Sequence, residues 1–274
     1  MQRKNLSPCV HRQINDMRKW LFILFFCLFS QSAPVYADDI PVIAAASDLQ
    51  FALEELAGLF QQQTGKKIKL AFGSSGNFRY QIAHGAPFQM YMSADEEYVL
   101  ALYREGDTLD EGMLYAIGRI VIFIPHGSPL KADGSLNDLA TALNDNRINH
   151  FAIANPEHAP YGQCAEEALR HAGIWDRIRP RLVLGENVSQ AAQFAASGSA
   201  QGGIIAYSLA LSPNMTTLGN YALIPAEWHN PLRQRMVLLK SAGPTAHAFY
   251  DYVQSQPARK ILEQYGFVLP EELN

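Results

Sequence analysis

Four short stretches of this chain put small, hydroxyl or amide residues where an apolar run gives way to a helical pattern. They are Ala46-Ser47-Asp48-Leu49-Gln50, Gly73-Ser74-Ser75-Gly76-Asn77, the segment from Asn155 to Gln163, and Gly185-Glu186-Asn187-Val188-Ser189. At such a junction the first backbone N–H groups of the helix have no partner within it, and the helix dipole is positive. Serine hydroxyls in two of the four add donors. Together these groups can hold a bare anion without a countercharge. Each junction taken singly also reads as ordinary helix capping. Ser47 with Gln50 fits a capping box, in which Ser47 or Asp48 caps the helix.

The elements that must position these residues alternate. Apolar or alternating runs at 40–45, 67–72, 88–92, 151–154, 181–184 and 203–206 read as strands, Ile117–Pro125 reads as one long buried strand, and 236–239 is a further apolar run. Between them, 48–63, 77–84, 95–104, 162–172 and 188–197 have helical spacing, Gly65 stops the first of these helices, and 244–265 closes the chain as a helix pair. Strands spaced by helices predict an α/β fold of mainly parallel sheets, with ligands bound beyond the strand C-termini.

The N-terminus sets the compartment. Basic residues Arg3, Lys4, Arg12, Arg18 and Lys19 precede the apolar run Leu21–Phe29, and Val35-Tyr36-Ala37 follows before Asp38. That order predicts a secretory signal peptide over residues 1–37. The run is too short for a spanning helix, which needs about 20 residues. Cleavage there leaves 237 residues, with 17 basic and 25 acidic side chains and a net charge of −8. Such a chain is a poor nucleic-acid binder, and its net field does not attract a dianion, so binding must rest on short-range donors in a closed cleft. Cys9 and Cys27 leave with the signal; Cys164 then has no disulfide partner and reads as a small buried residue. The histidines are scattered without metal-ligand spacing, and His158 reads as a surface or capping residue. There is no phosphate-binding nucleotide loop, and Gly73-Ser74-Ser75-Gly76 is not a nucleophile elbow. No catalytic residue is expected, and no cofactor.

The chain resembles the periplasmic molybdate-binding proteins of molybdate ABC transporters. The matching segments are Ala44–Ser47, Phe72–Asn77 leading to Gln81-Ile82, Gly85–Phe88, Met92–Asp95, Asn155–Gly162, Glu186–Val188 and Gly266-Phe267, in order through nearly the whole mature chain. The resemblance implies a two-lobed solute-binding fold, with the ligand between the lobes. It divides the chain into 1–37 as signal, 38–117 as lobe 1, 118–207 as lobe 2 and 208–274 returning to lobe 1. It implies oxyanion contacts from the hydroxyls of Ser47 and Ser75 and from N–H groups at Tyr161 and Val188, with molybdenum held only through its oxygens. Some members add a late tyrosine, which falls here on Ala206; Tyr207, on the opposite face of a strand, cannot simply replace it.

Asp48 departs from the family's usual neutral residue. Either it helps cap the helix and offers only its N–H, or its carboxylate accepts a proton from an anion such as hydrogen phosphate. The expected function is capture of molybdate or tungstate in the periplasm by a monomer that delivers it to a membrane permease. An exported binder of phosphate or sulfate is the alternative reading.

Overall fold

The computed structural model describes residues 40–270; the segment expected to be the signal lies outside the described residues. From its start the chain forms β1 (Val42–Ala46), a single 3-10 turn (Ser47–Leu49), α1 (Gln50–Thr64), β2 (Lys69–Gly73), α2 (Ser75–Ala83), β3 (Met90–Ser93), α3 (Glu96–Glu105) and β4 (Met113–Gly118). It then runs through β5 (Ile120–Pro125), α4 (Asn137–Asn144), β6 (Phe151–Ala154), α5 (Pro160–His171), α6 (Trp175–Ile178), β7 (Leu182–Gly185), α7 (Val188–Ala196), β8 (Gly203–Ala206), α8 (Tyr207–Ala210), α9 (Pro213–Leu218) and β9 (Gly219–Leu223). The last described elements are β10 (Leu232–Leu238), α10 (Pro244–Val253) and α11 (Gln256–Gln264).

The strands form two five-stranded sheets, in the orders β2-β1-β3-β10-β4 and β7-β6-β8-β5-β9. In the first, β1 is parallel to β2 and β3, while β10 is antiparallel to β3 and β4. In the second, β6 is parallel to β7 and β8, while β5 is antiparallel to β8 and β9. Four strands of each sheet therefore share a direction and one opposes them. The opposing strand is in each case the first strand after the chain crosses from the other sheet. This is the two-lobed architecture that the family resemblance implies, within the α/β class predicted by the strand–helix alternation.

Each lobe has its own core. On β1, Ile43 and Ala45 pack with Leu49, Leu53, Leu56 and Phe60, and Ala44 packs on the opposite face with Phe78, Tyr91 and Val99. This is the alternation of a strand buried on both faces. The spacing of Ala52, Leu53, Leu56 and Phe60 buries one stripe of α1, and Gly65 ends that helix at φ 72. A Cβ is disfavoured in that left-handed conformation.

Two expectations about chain path are corrected. Ile117–Pro125 is not one strand: β4 ends at Gly118 in the first sheet, and β5 starts at Ile120 in the second. The continuous apolar run hides the break because both ends are buried strands. The return to the first lobe does not come at residue 208 either. β9 pairs with β5 from Val121↔Leu223 to Pro125↔Gly219, so the chain leaves the second sheet only after Leu223.

Candidate functional site

The four junctions meet. The 3-10 turn after β1 and the β2–α2 junction face the starts of α5 and α7 across the cleft. They enclose a cavity of about 190 Å³, a volume that includes its opening to solvent. Its enclosed part is far smaller than a pocket for a drug-sized ligand. Ser47, Asp48 and Ser75 line it from the first lobe, and Tyr161 and Val188 from the second. All five residues singled out in the sequence thus border one space.

The two serines are set up as donors. Ser75 Oγ accepts the N–H of Ala94 at 3.0 Å, and Ser47 Oγ accepts the N–H of Ser189 at 3.3 Å. Each hydroxyl also carries a proton of its own that can be turned toward a ligand. Val188 is the first residue of α7 and Tyr161 the second of α5, positions whose N–H groups have no partner within the helix. Asn187 caps α7 by accepting the N–H of Gln190 at 3.1 Å. α5 begins with Pro160, which has no N–H, after Ala159, which offers no side-chain cap; Gly162 and Gln163 donate to Ala159 O at 2.8 and 3.1 Å, which leaves the N–H of Tyr161 for a ligand. Among the described residues, no lysine, arginine or histidine lines the cavity.

The capping-box reading of Ser47 and Gln50 is corrected. No side chain caps the 3-10 turn or α1. Ser47 Oγ is engaged across the cleft with Ser189, and Gln50 Nε2 donates to Glu54. The reading of Asp48 as a helix cap fails with it. Asp48 Oδ2 accepts the Tyr161 hydroxyl at 2.9 Å and Gln234 Nε2 at 2.7 Å. Gln234 is held in turn, its Oε1 accepting the Tyr115 hydroxyl at 2.7 Å. Tyr115 reaches it through a bulge: Ala116 pairs with Gln234 and Leu114 with Arg235, leaving Tyr115 as the extra residue of β4. Bulges beside functional sites commonly re-aim a side chain in this way. Burial pushes the Asp48 carboxyl up to about 6, against the lowering effect of its hydrogen bonds from Gln234 and Tyr161. The same burial raises the phenols of Tyr161 and Tyr115 well above their ordinary value.

Further bonds join the lobes around the cavity. Ser189 Oγ donates to Ser47 O at 2.8 Å, and Ser208 Oγ donates to Asp48 O at 2.7 Å. Gly76 N–H donates to His158 O at 3.0 Å, Ser74 Oγ donates to the same carbonyl, and Asn77 Nδ2 bonds Glu186. His158 is therefore not a surface or capping residue. It bridges the lobes, with its ring beside Ser74 Oγ at 2.9 Å and Nε2 3.8 Å from Glu186. Close approach demands glycine here: a Cβ on Gly76 would sit 2.6 Å from His158 O. Ala206 is fully buried in β8, and the Tyr207 ring lies against Tyr221 and Gly266, outside the cavity lining. Cys164 is buried with its thiol pushed up, as expected of an inert core residue.

This arrangement has close parallels. Residues 41–268 match the model of the bacterial extracellular solute-binding proteins. The chain belongs to that family. It is 33% identical over 238 residues to the molybdate-binding protein ModA of Rhodobacter capsulatus, a match covering 86% of this chain and 90% of the relative. It is 32% identical over 230 residues to ModA of Azotobacter vinelandii, covering 83% and 89%. The solved periplasmic molybdate-binding protein of Azotobacter vinelandii superposes with a TM-score of 0.75 at 31% identity, over 84% of this chain and 99% of that one. The family is one of binding proteins, and the site described above is built of donors rather than of a nucleophile and its base.

Proposed function

We propose that this chain is exported, captures molybdate or its near twin tungstate in the cleft, and as a monomer delivers it to the permease of an ABC importer. The observation that carries the reading is the convergence of four strand-to-helix junctions from two lobes on one small cavity. Its donors are the Ser47 and Ser75 hydroxyls and the N–H groups of Tyr161 and Val188. These are neutral dipoles, fixed in place before the ligand arrives, and they replace the hydration shell of a tetrahedral dianion. The relatives named for molybdate support that anion over others. Closure of the two lobes buries the anion, and reopening releases it.

A thermal-shift panel on the chain lacking residues 1–37 tests the reading. Molybdate and tungstate raise the melting temperature strongly at micromolar concentration; sulfate and phosphate raise it little. A shift with phosphate alone contradicts the assignment.

A further inference from the structure

Among the described residues, Asp48 is the one carboxylate on the cavity wall, and one of its two oxygens has no hydrogen bond. Its Oδ2 is engaged by Tyr161 and Gln234, whereas Oδ1 is buried without a hydrogen bond. A buried ionised oxygen in that state is costly, and a dianion placed beside it adds repulsion. A proton on Oδ1 removes both problems. The carboxyl becomes neutral, and its O–H becomes one more donor toward the ligand.

The surroundings supply no other remedy. The groups facing Asp48 are Tyr161 on α5, Tyr115 on β4, Gln234 on β10 and Ser208 on α8, and none is a cation. Arg233 and Arg235, beside Gln234 on β10, are paired with Glu96. His158, across the cleft, stands beside Glu186. Burial already holds the Asp48 carboxyl near 6 before any anion arrives.

We infer that Asp48 makes this a proton-coupled site, in which one proton is held between Asp48 Oδ1 and an oxygen of the bound tetrahedral dianion. This deepens the proposed function and rests on it. The balance is simple. Above the titration range of Asp48 the partners are a carboxylate and a dianion; the complex contains one proton more, taken from the buffer, and the only bond formed is O–H. Below that range Asp48 already carries the proton, and binding takes up none. Asp48 is then a specificity residue: it favours a strongly accepting dianion and ties affinity to pH.

Isothermal titration of the chain with sodium molybdate, in two buffers of different ionisation enthalpy, reads the proton directly. At about pH 8 the expected uptake approaches one proton per anion, and Kd weakens by about tenfold per pH unit above 7. Asp48→Asn keeps an oxygen for the Tyr161 and Gln234 bonds; it is expected to bind with no uptake and a flat pH profile. Wild-type binding with no buffer-dependent heat overturns the inference, as does an Asp48→Asn variant with unchanged uptake. Failure to bind molybdate at any pH overturns the proposed function itself, so the two failures are distinguishable.

Discussion

Ser47 and Ser75 each receive a backbone N–H and have a proton left to give. That pairing fixes each hydroxyl rotor before the ligand arrives, so the donors need little reorganisation on binding. Ser75→Ala removes one hydrogen bond to a charged ligand, worth about 1.5–3 kcal/mol. The expected result is a Kd for molybdate weaker by roughly ten- to a hundredfold, measured by calorimetry, together with a loss of about 1–3 kcal/mol in the stability of the free protein, because the buried N–H of Ala94 loses its acceptor. Sequence alone reached these serines because hydroxyls after an apolar run and before a helix are a local pattern. It could not reach Gln234 or Tyr115. Gln234 lies 186 residues from Asp48, and Tyr115 reaches it only because β4 bulges against β10. No local periodicity encodes a cross-strand bulge. The role of Asp48 was misread as capping for the same reason: its partners belong to β10 and to the other lobe.

At the scale of elements, the site depends on helix starts brought together by the lobes. The Gly73–Asn77 junction crosses to the second lobe at Gly76, whose N–H meets His158 O at 3.0 Å. A Cβ there would stand 2.6 Å from that oxygen. Gly76→Ala is therefore expected to leave each lobe folded but to hold the cleft apart. Its signature is weaker molybdate binding, mainly through a faster off-rate, with the unfolding transition of the free protein retained; stopped-flow dissociation checks it. Most elements were legible because their apolar spacing is strong, as in α1 or in β8, whose bounds Gly203–Ala206 coincide with the expected run. The fusion of β4 and β5 into one strand was the instructive error. Gly118 and Arg119 carry the chain between two sheets inside an unbroken apolar segment, and strands buried in separate cores have the same composition as one long buried strand. β9 was missed because Gly219–Leu223 is a half-exposed edge strand with little apolar signal.

At the scale of the whole molecule, two lobes of matching strand order are joined by two crossings, one at Arg119 and one between Leu223 and Leu232. The net charge of the segment after residue 37 is −8, so long-range attraction does not bring an anion to the cleft. Affinity has to arise at close range, from donors at the four junctions and from the exclusion of water as the lobes close. The claim that these junctions form a single oxyanion site is tested most directly by a crystal structure of the chain grown with molybdate. The account predicts one tetrahedral anion between the lobes, its oxygens within hydrogen-bonding distance of Ser47 Oγ, Ser75 Oγ and the N–H groups of Tyr161 and Val188. An anion bound elsewhere, or a cleft without one at saturating molybdate, would contradict it.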